Sequence, residues 1–492
     1  MIKRIFSSWE EICWFALIIL LPFTSLPIVS RLVGGTMVSP PSLLILLLLV
    51  LTWLIPTIIK RTHLPSQIIP LLFFILAALI SMLSAAFIRI PTFRNVSLWQ
   101  NEFSTFITLL IGVLFYILSA SYPLDHGRVN RWLKWINWSG VVILAWSALQ
   151  AVFWFANSAY PGWFYQIQSL VSVSQRLYPG RVTGLAYEPS WLAHQLNMLY
   201  LPLWLAATVK KSSAHRFRLI GITIENILLV CGVVILVLSI SRVGLLAFLL
   251  TVAYLLFLAN RRLVAWLCSK VEKLWHMSAT KVLTRSLLTL GMYGLLIITY
   301  LAIFFSAAKI ISRHDPRMAE FLNPTSYMGS AAQIANRLHF AERVIFWQAG
   351  WEVFTDHPWL GVGLGNTGFF FLEKMPAYGW SMPEISNLIY QSDIIPNTKS
   401  LWIRLLSETG VVGFSIFISW LYLLWQTTRH NLADKNKQIA MWGLAAQFGL
   451  IALVIEGFSV DTFALPYFWL LFGWMTASSR LVLEPAPISE LG

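Results

Sequence analysis

The stretch Pro41-Ser42-Leu43-Leu44-Ile45-Leu46-Leu47-Leu48-Leu49-Val50-Leu51-Thr52-Trp53-Leu54-Ile55-Pro56-Thr57-Ile58-Ile59 carries no charge and is followed by Lys60-Arg61. A helix of that length covers the roughly 30 Å of a bilayer's hydrocarbon, because each residue adds about 1.5 Å. Inside lipid the backbone has no water to bond, so such a run must satisfy its own N–H and C=O groups as a helix. Similar runs recur near 12–29, 68–87, 103–120, 136–156, 189–209, 219–239, 243–259, 286–306, 410–427, 438–456 and 462–479. The expected fold is all-α: a polytopic membrane protein with about 12 transmembrane helices and a large helical extracytoplasmic loop.

Composition leads the same way. Of the 492 residues, 58% are hydrophobic and only 11% charged, and mean hydropathy is +0.71. Soluble domains carry roughly a quarter charged residues and could not hide this much apolar surface. The formal net charge of +14 does not imply nucleic acid, since the basic residues are not gathered on one soluble face. With the N-terminus inside, 21 Lys and Arg fall on inner loops and termini, against six on short outer loops. That bias sets both termini in the cytoplasm. The other eight lie in the outer loop or its edge: Lys309, Arg313, Arg317, Arg337, Arg343, Lys374, Lys399 and Arg404. Long loops escape the orientation rule, yet an anionic substrate is one reason for the excess.

The chain therefore divides into helices 1–5 with an outer loop (1–180), helices 6–9 (181–306), a large extracytoplasmic loop (307–409), and helices 10–12 with a cytoplasmic tail (410–492). Met1-Ile2-Lys3-Arg4 precedes an apolar run without a small-x-small cleavage site, which reads as an uncleaved first span. None of the three cysteines, Cys13, Cys231 and Cys268, lies in the large loop, so no disulfide framework is expected.

Within that loop, residues 331–356 read as a helix with two apolar stripes. Phe340, Val344, Trp347, Trp351 and Phe354 form one; Ile334, Leu338, Ala341, Ile345 and Ala349 form the other. His357-Pro358-Trp359-Leu360-Gly361-Val362-Gly363-Leu364-Gly365-Asn366 then ends it sharply. The glycines follow a helix rather than a strand, so this is not a nucleotide fold. No His-x-x-x-His pair occurs and no clustered carboxylates appear at helical spacing in the outer loop, so no metal site is suggested and no cofactor is expected.

Several residues could do chemistry, each with a plainer alternative. Arg242, in Ser239-Ile240-Ser241-Arg242 between two apolar runs, either faces a polar cavity and an anion or snorkels to the interface. Arg343 is a phosphate ligand or an exposed helix charge. Arg181 opens Gly180-Arg181-Val182-Thr183-Gly184-Leu185-Ala186-Tyr187-Glu188-Pro189-Ser190. Glu188 there either favours the helix start or acts as general base. His194, deeper in that span, reads as a packed helix residue.

Three stretches resemble the O-antigen ligase and O-antigen polymerase superfamily of bacterial membrane glycosyltransferases. Arg343-Val344-Ile345-Phe346-Trp347, followed by the His357-to-Asn366 segment, is similar to that family's loop pattern. Glu408-Thr409-Gly410-Val411-Val412-Gly413 resembles its re-entering helix, and Ser239-Ile240-Ser241-Arg242 its Ser-x-Ser-Arg. The Arg181-to-Ser190 stretch also resembles an upstream segment. Ligases of the family carry a His-Asn pair that falls on Lys399-Ser400 here, which favours a polymerase or another member.

The resemblance implies a polyprenyl-diphosphate-linked oligosaccharide donor at the outer face of a bacterial inner membrane, and a glycan or lipid-glycan acceptor. Arg242 and Arg343, with Arg181 supporting, would bind the diphosphate, and Lys399 stands near the place of the absent histidine. The acceptor hydroxyl would attack with inversion; Glu188 is the expected base, with His357 and Asp393 behind it, although His357 also reads as a helix terminator. O-antigen or exopolysaccharide polymerisation is the expected reaction. The alternatives are ligation to lipid A-core, and a secondary transporter or oligosaccharide flippase, although no matching halves or internal repeat are visible.

Overall fold

The computed structural model describes all residues except 1, 33–36, 61–63, 123–124, 275–281, 314–318, 321, 329–339, 382–384, 386–389, 391–394 and 482–492. The described chain is almost entirely helical, apart from a small antiparallel hairpin of β1 (Arg218–Leu219) and β2 (Ile222–Thr223).

The long helices are α1 (Ile2–Ile19), α2 (Ser42–Ile59), α3 (Ser66–Ala85), α4 (Leu98–Ser121), α5 (His126–Asn157), the shorter α6 (Gly162–Val171), and α7 (189–210). They continue with α8 (Ile224–Leu238), α9 (Arg242–Leu274), α10 (Val282–Ile311), α11 (Ala341–Asp356), α12 (Leu401–Leu432), α13 (Lys437–Glu456) and α14 (Tyr467–Arg480). Among the described residues, seven helices are long and apolar enough to cross a membrane: α2, α3, α4, α5, α9, α12 and α13. Ile224–Leu238 and Ser286–Ala302 are shorter apolar helices.

Three expected spans are divided or shortened. The run 12–29 is not one helix: α1 ends at Ile19, and a turn leads to a separate short helix, Pro27–Leu32. Pro22 and Pro27 interrupt what hydropathy alone joins. The run 219–239 starts late because Gly221 (φ 82°) turns the β1–β2 hairpin before α8 begins. The run 462–479 is helical only from Tyr467, directly after Pro466. Residues 260–274, expected in an inner loop, continue α9 instead.

The chain forms two compact units. The first comprises Met1–Phe248, Gly350–Leu372 and Ile395–Gly492. Its centre is α14, in which residues 467–479 are all buried. A helix apolar on every side has no face for water and packs inside. Here α14 lies against α4 through Tyr116 Oη and Thr476 Oγ1 (3.0 Å), while Arg480 Nη2 donates to the Ala120 carbonyl (2.6 Å). Indole rings fill the space on other sides, with Trp420 5.2 Å from Trp469 and Trp132 5.7 Å from Trp474.

The second unit comprises Leu249–Ala349 and Glu373–Ile394. In it α9 and α10 pack through Phe257 and Tyr293 (5.9 Å), and Asn260 Nδ2 donates to Tyr300 Oη (2.5 Å). The helix expected over 331–356 is described from Ala341; residues 331–339 lie outside the described residues. Of its two stripes, the one carrying Ala341, Ile345 and Ala349 is buried, whereas Trp351 on the other is 48% exposed.

Candidate functional site

The Arg181–Ser190 loop is held from beneath by side chains that its own glycine turn admits. Gln150 of α5 accepts from the backbone N–H groups of Thr183 (2.9 Å) and Gly184 (2.8 Å), and donates to the Gly184 carbonyl (3.1 Å). Tyr160 Oη donates to the Tyr178 carbonyl (3.2 Å), and Thr24 Oγ1 accepts from Tyr187 N (2.9 Å). Buried backbone polar groups must be paired, and these side chains pair them without secondary structure.

The same loop joins the break between α8 and α9. Val182 N donates to the Leu238 carbonyl (3.0 Å), and Arg181 Nε to the Ser239 carbonyl (3.2 Å). The Arg181 guanidinium lies over the Tyr178 ring at 5.8 Å. Two segments that the sequence holds 58 residues apart thus form one surface. Glu188 precedes the first turn of α7 without capping it; its Oε1 accepts instead from Ser190 Oγ. Burial raises the Tyr178 phenol above its ordinary value, the Glu188 carboxylate adds to that, and Arg176 and Arg181 oppose it. Tyr187 is raised by burial and then by Glu188. Two phenols, two guanidiniums and one carboxylate therefore share one electrostatic neighbourhood, with the phenols kept as hydrogen-bond donors.

The break itself is tight. Ile240 has φ 49°, a left-handed conformation that a β-branched side chain adopts only under constraint. Ser239 Oγ donates to the Leu236 carbonyl (2.7 Å), and Ser241 Oγ accepts from Gly244 N (3.3 Å). These hydroxyls serve groups that a continuous helix would have paired. Arg242 follows, partly buried, as the first residue of α9. Its guanidinium adds to the positive end of a 33-residue helix dipole.

Lys399 also adopts a left-handed backbone, φ 50°, just before Ser400 caps α12 by accepting from Ile403 N (3.4 Å). The Gly457 carbonyl accepts from Leu401 N (2.7 Å) and from Ser400 Oγ (3.2 Å). Strained non-glycine positions cluster where the surrounding structure over-determines them, as at functional sites.

The glycine-rich segment after α11 has a different part. Its loop enters a break in α12 at Gly410 (φ 61°, ψ −170°). Val362 N and Gly363 N donate to the carbonyls of Ser407 (3.0 Å) and Glu408 (3.1 Å), and Val411 N donates back to Pro358 O (2.8 Å). Ser81 Oγ of α3 adds bonds to the Leu360 and Glu408 carbonyls, both 2.5 Å. A Cβ at Gly361 or Gly410 would overlap the facing backbone, so both close approaches require glycine. Nearby, Asn366 Nδ2 donates to Glu102 Oε1 (2.5 Å), and Arg404 Nε to Glu408 Oε2 (3.0 Å). His357 faces the Phe370 ring, centroids 5.9 Å apart, at the end of its helix.

The structure thus brings Arg181, Glu188 and the turn bearing Arg242 together, with Lys399 in the same compact unit. Arg343 lies in the first turn of α11, partly buried, in the second unit. Asp393 lies outside the described residues. Glu102, Asn197, Glu408 and Glu456, all buried, are not among the expected site residues, although Glu408 opens the motif that resembles the re-entering helix. For the three carboxylates the signal was a charge at the edge of an apolar run, where it resembles an ordinary helix-end residue; Asn197 is uncharged and lies inside its run.

Among the described residues, no group of three or more His, Cys, Asp or Glu could hold a metal ion. No curated protein matches the chain. A family model described as O-antigen ligase matches residues 227–418. The matched segment takes in Arg242, Arg343, His357, Asp393 and Lys399, and stops short of Arg181 and Glu188. Over that segment, from α8 to the middle of α12, this protein is similar to the O-antigen ligase family.

Proposed function

We propose that this chain is a multi-pass membrane glycosyltransferase of the O-antigen polymerase and ligase type. It transfers a glycan from a polyprenyl diphosphate to an acceptor sugar on the outer face of a bacterial inner membrane. The observation that carries the reading is the junction of the Arg181 loop with the strained Ser239–Arg242 turn, within a chain whose residues 227–418 match the O-antigen ligase family. The charge bias of the loops supports cytoplasmic termini and an extracytoplasmic large loop.

In this mechanism Arg242 and Arg181 bind the diphosphate oxygens; a diphosphate role for Arg343 rests on the family resemblance alone. Guanidiniums suit a departing diphosphate because their forked donors strengthen as negative charge develops. The acceptor hydroxyl attacks the anomeric carbon, a new C–O bond forms, and the bond to the diphosphate oxygen breaks with inversion. The hydroxyl proton passes to Glu188, and the polyprenyl diphosphate leaves as the anion. His357 and Asp393 are secondary choices for the base, and Lys399 supplies positive charge where the family's ligases have histidine.

Polymerisation of O-antigen or exopolysaccharide repeats is the preferred reaction, because Lys399-Ser400 stands where ligases carry a His-Asn pair. The ligase description of the matching family supports the second reading, transfer to a lipid A-core or other acceptor. Purified protein in a bilayer without any gradient, fed one lipid-linked repeat unit, separates them. A polymerase yields a ladder of products; a ligase yields product only when a second acceptor is added. No glycan transfer under either condition would overturn the enzymatic reading and leave transport.

A further inference from the structure

We propose that Glu456, acting through Asn197, is a positioning residue for Arg242, and that the adjoining Gly457 positions Lys399. The proposal rests on the diphosphate-binding role given above to Arg242. Glu456 is the last residue of α13, with its side chain 2% exposed. Its Oε1 accepts from Asn197 Nδ2 at 2.7 Å, and the same Nδ2 donates to the Gly244 carbonyl at 2.8 Å. Gly244 lies in the first turn of α9, two residues after Arg242. His194 Nδ1 stands 3.4 Å from the other carboxylate oxygen, Oε2.

The local backbone is shaped for this bridge. Asn197 lies in a π-helical turn, Leu196–Tyr200, inserted between two α-helical segments of α7. The wider turn of a π-bulge re-aims side chains and recurs at functional sites. Gly244 packs closely on α7: a Cβ there would lie 2.5 Å from Ala193 Cβ and 3.4 Å from Asn197 Nδ2. The next residue along, Gly457, reaches the second strained position. Its carbonyl receives Leu401 N and Ser400 Oγ, directly after Lys399, and the Trp402 indole packs where a Gly457 side chain would be. Two consecutive residues therefore tie the starts of α9 and α12, which carry Arg242 and follow Lys399.

Burying a carboxylate this deeply is costly unless it is bonded, and an apolar residue at 456 would pack without that cost. A purely structural carboxylate would stabilise the fold without favouring any one guanidinium. Coupling to Arg242 separates the two roles.

The experiment measures binding of undecaprenyl diphosphate to the full chain in nanodiscs, alongside thermal unfolding. Asn197→Leu and Glu456→Leu should each weaken binding about tenfold, while Glu456→Gln, which keeps an oxygen acceptor, stays within about twofold. In the Arg242→Ala background, Glu456→Leu should cause no further loss, because residues acting through one another are not additive. Additive losses, or wild-type affinity in both leucine variants, overturn the positioning role. Where a leucine variant does not fold, Asn197→Ser in the wild-type and Arg242→Ala backgrounds supplies the same cycle. Wild-type binding by Arg242→Ala itself overturns the diphosphate-binding reading instead, so the two failures are distinguishable.

Discussion

In the first unit, the interruptions of apolar helical segments at Gly410 and at 239–242 are built in opposite ways. At Gly410 the break in α12 is closed by backbone: the 358–363 loop exchanges N–H and C=O groups with Ser407, Glu408 and Val411, and glycine occupies the left-handed position. At 239–242 the break is patched by serine hydroxyls, isoleucine occupies the left-handed position, and two arginines border the turn. The first arrangement minimises strain and leaves little for a ligand to bond. The second retains strain and concentrates positive charge. A broken helix deep in a membrane protein is tolerated where other groups re-satisfy it, and here protein groups do so at both breaks, by backbone at one and by serine hydroxyls at the other.

The largest expected effect attacks the closed break. Gly410→Ala forces a Cβ onto the Trp359 carbonyl at a backbone conformation open mainly to glycine. A loss of at least about 3 kcal/mol is expected, seen as failure to purify a monodisperse protein or as a sharply lowered unfolding temperature. Gly410→Ala with wild-type stability would show that the closed break is not a structural clamp.

Next comes the open break. Arg242→Ala should keep its unfolding temperature and lose about 3 kcal/mol of transition-state stabilisation, on the order of 100-fold in transfer rate. Single-turnover assays with lipid-linked repeat units test this. A stability loss matching that of Gly410→Ala would erase the contrast between the two breaks.

Smaller effects sharpen the contrast. Ile240→Gly relieves the left-handed strain at the open break and should raise stability by about 1 kcal/mol while lowering transfer; urea titration and product ladders measure the two separately. Greater activity in this variant would show that the strain does not serve the site.

The smallest effect concerns the tyrosine that supports the Arg181 loop. Burial, and then the neighbouring Tyr165, push the Tyr160 phenol from 10.0 up to about 12, and its proton bonds the Tyr178 carbonyl. The unfolded phenol loses its proton first, so this contribution is full below pH 10 and disappears as pH rises to about 12. Tyr160→Phe should flatten the wild-type decline in unfolding temperature over that window; an unchanged slope would exclude the linkage.

Much of the architecture was legible because lipid imposes a one-dimensional rule: an apolar run of sufficient length without charge becomes a helix. Ser42–Ile59 and Lys437–Glu456 lie within a few residues of the runs that hydropathy defines. The rule weakened where proline or a glycine turn divides an apolar run, as at Pro27, Gly221 and Pro466, because hydropathy does not register backbone geometry. The site was partly legible. Arg181, Glu188 and Arg242 were visible as polar residues at the edges of spans, but Glu456 and Asn197 were not, since their importance lies in partners 259 residues apart.

The amino-acid order alone determined that the backbone would be helical, which segments could face hydrocarbon, and which arginines were available near their ends. Those properties follow from local composition and from the need of each segment to satisfy its own peptide groups. Only the tertiary structure decided that the loop at 181 meets the turn at 239, that the glycine-rich segment bonds into a break in α12, and that Glu456-Gly457 links two helix starts. Hydrogen bonds between distant segments depend on distances of a few tenths of an ångström, and no pattern along the chain encodes them separately from the packing that creates them.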